Sequence, residues 1–392
     1  MKRSCKPLLA GLGVAIALSI AAHAGAQTSL NPELEPYLKE YDLPALAAGV
    51  VKNGELVAAG AVGTRRVGEN IPVTLDDRFH IGSDTKAMTS LLAAILVEQG
   101  KLQWTTTVGE VFPELVEQMD PRLRTVTIQQ LLSHTSGLPS DNEAFKKLLD
   151  DSFQQSGNLD ELRYWLVKTV SSQPLAADPG AQFAYSNLGY VVAGAIIERK
   201  AGKTWDELVT EWVFAPLGLK TAGLGPQASV GKIDAPLGHL VADGKTKAVL
   251  AGPNGDNPLI LGPAGIAHMS VLDFARWAGW NAGEGARGPN LVTAETLEKL
   301  HTPIVDVHQD GEAPSGDRPV PRYGFGWGTL QPDWATHPFL THTGSNGENL
   351  ATIWVAPSRD FAMVVMTNIA GQKANQALVK LAHDIHSKFG GE

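Results

Sequence analysis

The chain has 392 residues, of which 43% are hydrophobic and 19% charged, with a formal charge of −9 and a single cysteine. That composition excludes wholesale disorder, collagen and coiled coil, and the acidic balance argues against a phosphate-binding nucleic-acid surface. One cysteine can neither close an internal disulfide nor build a cysteine-based zinc site.

The first residues read as a targeting segment. Lys2, Arg3 and Lys6 precede an uncharged apolar run from Leu8 to Ala22, and small residues recur at Ala22, Ala24, Gly25 and Ala26. That order is the layout of a secretory signal peptide, and the run is shorter than the ~20 residues of a membrane span. Cleavage is expected after Ala26, with Ala24 as the second candidate. The stretch has no Arg-Arg pair, and Cys5 comes before the apolar run, so neither Tat export nor lipoprotein attachment is expected. Loss of residues 1–26 removes the three basic residues and the cysteine, which leaves a charge of −12 rather than −9. A thiol-free acidic chain suits a periplasmic or secreted location. No later segment has 18 consecutive apolar residues, so no stable membrane insertion of the mature chain is expected.

In the mature chain, Leu46 to Lys52 and Leu56 to Val62 flank Asn53-Gly54, a strong hairpin signal. Helical spacing then dominates from about 84 to 300. Met88, Leu91, Leu92, Ile95 and Leu96 predict one apolar helix face, with Gly100 as a stop. Leu159, Leu162, Leu166 and Val170 predict another helix, and Ser270 with Asp273 predicts a cap for a helix through Trp280. Residues 303–322 read as a long surface loop. Ala351 to Ala356 and Phe361 to Thr367 form a second strand pair around Pro357 to Asp360, followed by an amphipathic helix over 371–388. Strands at both ends with helices between predict one sheet built from the two termini, with a helical lobe inserted. The expected division is a sheet lobe of about 40–82 and 322–392 and a helical lobe of about 83–321, together a single domain over 27–392.

Three short motifs carry chemistry. Ser83-Asp84-Thr85-Lys86 opens the strongest helix, and positions i and i+3 share a helix face, so the Lys86 amine can lie beside the Ser83 hydroxyl. A serine needs such a base, and a lysine partly buried beside other cations can lose its proton near neutrality. A second S-x-x-K, Ser229 to Lys232, lies among glycines and prolines without a helical pattern. Tyr185-Ser186-Asn187 places a phenol and an amide two residues apart. In extended backbone they point the same way; the phenol can carry protons if nearby cations lower its pKa, and the amide can hold a carbonyl. His342-Thr343-Gly344, followed by Ser345, precedes the C-terminal strand pair. Gly344 would let a substrate backbone approach, and the Ser345 and Ser83 backbone N–H groups are candidate oxyanion donors. Each motif alone has an ordinary structural explanation; their order and local contexts together single them out.

With these motifs the sequence resembles the serine β-lactamase and penicillin-recognising D,D-peptidase superfamily, in the branch of class C β-lactamases, D,D-carboxypeptidases, D-aminopeptidases and related esterases. Leu131 to Leu138, Pro179-Gly180 and Tyr323 to Gly328 support the likeness over roughly 40–388. The resemblance implies an α+β, β-lactamase/transpeptidase-like fold: an antiparallel sheet of N- and C-terminal strands flanked by helices, with a large inserted helical lobe and the site in the cleft between the two. It implies Ser83 as nucleophile, Lys86 and Tyr185 as the proton-transfer pair, Asn187 on the acyl-side amide, and an oxyanion hole from the Ser83 and Ser345 N–H groups. Substrate binding would fall to Asn187, His342, Thr343, Gly344 and Ser345, with no metal and no cofactor. His134 looks structural by the same comparison, bonding near a helix end.

One departure bears on substrate. Class C β-lactamases carry lysine where this chain has His342. A histidine beside Lys86 tends to stay neutral, which weakens recognition of a β-lactam carboxylate, although Thr343 and Ser345 hydroxyls remain available. The expected activity is an exported serine hydrolase acting on an ester or amide of a small molecule or peptide, D-amino-acid peptides included. The alternatives are a class C-like β-lactamase and a non-hydrolytic penicillin-binding or sensing protein. Neither the G-x-S-x-G of an α/β-hydrolase nor the H-E-x-x-H of a zinc hydrolase occurs. The 140–160 and 303–322 segments are the expected cleft rim.

Overall fold

The computed structural model describes residues 27–250, 252, 255–307 and 320–391. The expected targeting segment 1–26 and the centre of the 303–322 loop lie outside the described residues.

The chain enters through β1 (Thr28–Ser29) and α1 (Asn31–Glu40), then forms the hairpin β2 (Ala45–Lys52) and β3 (Glu55–Gly63). Asn53 and Gly54 both take positive φ, 53° and 76°, as a two-residue type I′ turn requires. The lobe that follows opens with β4 (Arg78–His80) and α2 (Lys86–Glu98), and its other long helices include α3 (Glu143–Ser152) and α4 (Asn187–Ala201). It also holds β5 (Gly223–Leu224), β6 (His239–Ala242), β7 (Lys245–Ala248), β8 (Ala267–Ser270) and α5 (Val271–Ala282). The chain returns through β9 (Val305–Asp306), β10 (Arg322–Tyr323), β11 (Gly328–Leu330), β12 (Phe339–Ser345), β13 (Leu350–Ala356) and β14 (Phe361–Thr367), and closes with α6 (Gln372–Phe389).

Nine strands make one sheet in the order β1-β3-β2-β14-β13-β12-β11-β10-β9. The termini meet at its centre, where Met363 of β14 sits opposite Val50 of β2. Strand alternation sends Leu46, Ala48, Val50, Met363 and Val365 against Leu34 of α1 and Leu378, Leu381 and Ile385 of α6. Ala47, Val51, Val364 and Met366 face Val271, Phe274 and Ala275 of α5 and the helical lobe. With both faces covered, β13 and β14 are buried along their whole length, which explains why they read as continuous apolar runs.

Several expectations need correction. The sheet is mixed, because β1 runs parallel to β3. The helical lobe also carries a three-stranded sheet, β4-β8-β5, and the β6–β7 hairpin; strands this short lack enough period-two pattern to show in sequence. Within 303–322 the described ends pair as β9 and β10, through Arg322 opposite Asp306. Helix α2 has no single apolar face: Lys86 through Leu96 are all buried, as in a helix enclosed on every side. Met88, Leu91, Leu92 and Leu96 are each at most 1% exposed, and burial of each contributes roughly 1.5–3 kcal/mol. Ser270 does cap α5, accepting from the Asp273 N–H.

Candidate functional site

Ser83 lies on a single 3-10 turn, Gly82–Thr85, that runs directly into α2. The turn is wedged against β12. Gly82 has φ 50°, and a Cβ there would collide with the Ser345 nitrogen. A Cβ on Gly344 would collide with the Ile81 carbonyl and lie 2.6 Å from the Ser83 nitrogen. Two glycines facing each other thus let two backbone segments touch, and the Ser83 and Ser345 nitrogens come into one neighbourhood. The expectation that Gly344 admits a substrate backbone is revised, because the Gly82–Thr85 turn fills the space beside its Cα.

Two side chains converge on the Ser83 hydroxyl. Lys86 Nζ lies 3.0 Å from Oγ, and the Tyr185 hydroxyl donates to Oγ at 2.8 Å. Lys86 Nζ also donates to Asn187 Oδ1 and to the Ala264 carbonyl, both at 2.6 Å. A neutral lysine amine has two N–H bonds and one lone pair. The two carbonyl oxygens take the N–H bonds, which leaves the lone pair for the Ser83 proton.

Burial supplies the neutral amine. Lys86 is fully buried, and desolvation brings its pKa down to about 7, against the opposing pull of Asp141 and Asp84. The expected cationic neighbours are therefore not the cause. Tyr185 moves the other way: burial raises its pKa, so it is a neutral phenol that donates a hydrogen bond rather than a phenolate. His342 is driven down to about 3, by burial first and by Lys86 second, and is neutral throughout the physiological range. Its Nε2 lies 3.2 Å from the Tyr323 hydroxyl and its Nδ1 3.1 Å from the Thr343 carbonyl.

The remaining motif residues divide by strand alternation. His342 and Gly344 turn inward toward the Gly82–Thr85 turn, whereas Thr343 and Ser345 are exposed on the other face of β12. The Ser345 hydroxyl closes the following turn by donating to the Asn349 carbonyl at 2.7 Å. Strand pairing on the β11 side of β12 ends at Thr341, so among the described residues its edge from His342 onward has no neighbouring strand. Ser186, not Asn187, is the helix cap: its hydroxyl accepts from the Gly189 N–H, and Asn187 is the first residue of α4. His134 is structural, as expected. It is buried with φ 58°, and its Nδ1 accepts the Ser186 N–H at 3.1 Å, at the start of α4. Ser229 of the second S-x-x-K bonds Asp234 in a loop.

A cavity of about 230 Å³ opens at Ser83, bordered by Asp141, Asn187, Phe145, Leu149 and Ser345. The 140–160 segment therefore forms its wall, as expected. Ile304, Asp306 and Arg322 border a second cavity of about 770 Å³ on the far side of Tyr185. Two acidic residues escaped sequence reasoning. Asp84, inside the first motif, is buried without a hydrogen-bond partner, and burial raises its pKa well above the carboxylate range. Asp141 bonds Asn187; its only local signal was the turn-forming run Pro139-Ser140-Asp141-Asn142. Among the described residues no group of three or more His, Cys, Asp or Glu is placed to hold a metal ion, and no helix is long and apolar enough to cross a membrane.

This fold, with a serine flanked by a buried lysine and a tyrosine at the foot of a helix, defines the class of acyl-transfer serine enzymes that dispense with a histidine–aspartate pair. The chain belongs to the β-lactamase family, whose profile matches residues 30–386. Penicillin-binding protein 4 of Amycolatopsis lactamdurans is 27% identical over 90% of this chain and 87% of its own. Among solved structures, the octameric penicillin-binding protein homologue of Pyrococcus abyssi superposes with a TM-score of 0.74 at 24% identity, over 93% of this chain and 77% of that one. A D-stereospecific amidohydrolase from a Streptomyces species gives 0.67 at 21% identity, over 89% and 95%.

Proposed function

We propose that this chain is an exported serine hydrolase that cleaves an ester or amide, D-amino-acid peptides included, through an acyl-enzyme on Ser83. The observation that carries this reading is the pair of contacts on Ser83 Oγ, from Lys86 at 3.0 Å and Tyr185 at 2.8 Å. Neutral Lys86 takes the Ser83 proton as Oγ bonds to the substrate carbonyl carbon. The Ser83 and Ser345 N–H groups hold the oxygen that gains charge. As the tetrahedral centre collapses, the proton on Lys86 passes by way of the Tyr185 hydroxyl to the leaving group. Water then attacks the acyl carbon, and the same groups run in reverse to free Ser83. Export rests on the signal-like residues 1–26.

A neutral His342 offers no fixed positive charge to a carboxylate, which supports esters and amides without a carboxylate beside the scissile bond over β-lactams. The test is purified protein with a fluorophosphonate, followed by p-nitrophenyl esters, a D-alanyl-D-alanine peptide and nitrocefin. A single adduct on Ser83 with ester or peptide turnover is the expected result. Strong nitrocefin turnover alone would make the chain a β-lactamase instead, and a folded protein with no adduct would remove Ser83 from its role.

A further inference from the structure

Asn187 can serve Lys86 only in one orientation. Its Oδ1 must face Lys86 to accept an N–H; with the amide rotated, Nδ2 would compete with Ser83 for the Lys86 lone pair. Asp141 decides between the two. Its carboxylate, an acceptor only, takes Asn187 Nδ2 at 2.5 Å and the Asn187 backbone N–H at 3.4 Å. Asp141 also sits at the N-terminus of the 15-residue α4, where negative charge is favoured. The contacts form one chain: Asp141 to Asn187, Asn187 to Lys86, Lys86 to Ser83.

We propose that Asp141 is a positioning residue for the Lys86 base, acting through the Asn187 amide and never touching the reacting atoms. The inference rests on the hydrolase reading above and adds a residue that no motif contains. Asp141 also bears on Lys86 through charge. The groups facing Lys86 are Asp84 on its own turn, Tyr185 before α4, Tyr190 on α4, His134 after the helix Ile128–Leu132 and His342 on β12. Tyr185 and Tyr190 stay neutral, and so do His134 and His342. Burial also favours the neutral form of Asp84. Asp141 is then the anion that most favours a protonated Lys86. Lys146, which borders the same cavity as Asp141, is paired with Glu143 at 2.6 Å.

The sign of the effect follows. Removing the Asp141 charge makes Lys86 easier to deprotonate, so the acid limb of the acylation profile moves to lower pH. Asp141→Asn keeps an acceptor oxygen for Asn187 and loses the charge. Asp141→Ala loses both. Fluorophosphonate labelling of Ser83 is followed from pH 5 to 9 in wild type and both variants, with ester kcat and KM beside it. The expected result is a downward-shifted limb in both variants. The high-pH plateau falls about tenfold in Asp141→Ala, in kcat rather than KM, and recovers to within about threefold in Asp141→Asn; this is less than the roughly 100-fold cost of a fully misplaced group, because Ala264 still holds Lys86. An unmoved or upward-shifted limb in both variants overturns the proposal. So does loss of fold in both by circular dichroism, which would make Asp141 a structural residue. If wild-type Ser83 takes no label, the hydrolase reading fails instead. The Lys86 titration, read from its Nζ shift in 15N-lysine protein, then still shows whether Asp141 sets the proton.

Discussion

At the scale of the residue, burial decides the chemistry. The wild-type acylation rate should rise with pH through a single limb near 7, because the reacting form of Lys86 is neutral and its pKa is about 7. His342, neutral above about 3, should add no second limb between pH 5 and 8. A pH series of kcat/KM on an ester reads both. Lys86→Ala should slow labelling of Ser83 by about 10²–10⁴-fold, the usual contribution of a positioned base, while the far-ultraviolet spectrum stays native. Ser83, Lys86 and Tyr185 were legible because the i, i+3 spacing and the lone Y-x-N are local patterns. What sets the protonation states of Lys86 and Tyr185 was not. Whether a lysine is neutral depends on what encloses it, and here the enclosing groups come from Asp141, Asn187 and Ala264, distant in sequence.

At the scale of the element, the site depends on the contact between the Gly82–Thr85 turn and β12. Gly344→Ala should disturb that contact directly, since the new methyl meets the backbone at Ile81 and Ser83. A destabilisation of about 1–3 kcal/mol is expected from overpacking. Activity should fall further than stability explains, because both candidate oxyanion nitrogens shift. Thermal melts beside ester kinetics check this. In the helical lobe, fully buried Arg163 bonds Glu198 at 2.5 Å and Asp206 at 2.8 Å, tying the helix Leu159–Val170 to α4 and to the short helix Trp205–Val209 that follows it. Arg163→Ala strands Glu198 in a buried site and should cost about 3–5 kcal/mol in urea unfolding, less at acid pH where Glu198, its pKa already raised by burial, takes a proton. Helices α2, α5, α6 and Leu159–Val170 and the Asn53-Gly54 hairpin were legible from periodicity and turn chemistry. The strands β4, β5 and β8 were not, because two to four residues carry no period.

At the scale of the whole molecule, the sheet is closed by segments more than 300 residues apart in sequence, β2 against β14. A chain ending at Asp360 loses β14 and α6, exposes the edges of β2 and β13, and strips the apolar cover from Leu46, Ala48 and Val50. It should fail to fold, as judged by limited proteolysis and solubility. The same topology makes most of the folding contacts non-local. The sequence by itself determined the element types, the joining of the two ends in one sheet and the three motifs, since these follow from side-chain period, turn residues and spacing within a few positions. Only the tertiary structure decided which groups surround Ser83, which amine is neutral, what Gly344 makes room for, and that Asp141 stands behind Asn187. Those outcomes depend on distance and desolvation between segments that the chain order keeps apart. The acidic charge and the single cysteine exclude other chemistries, but neither locates this site.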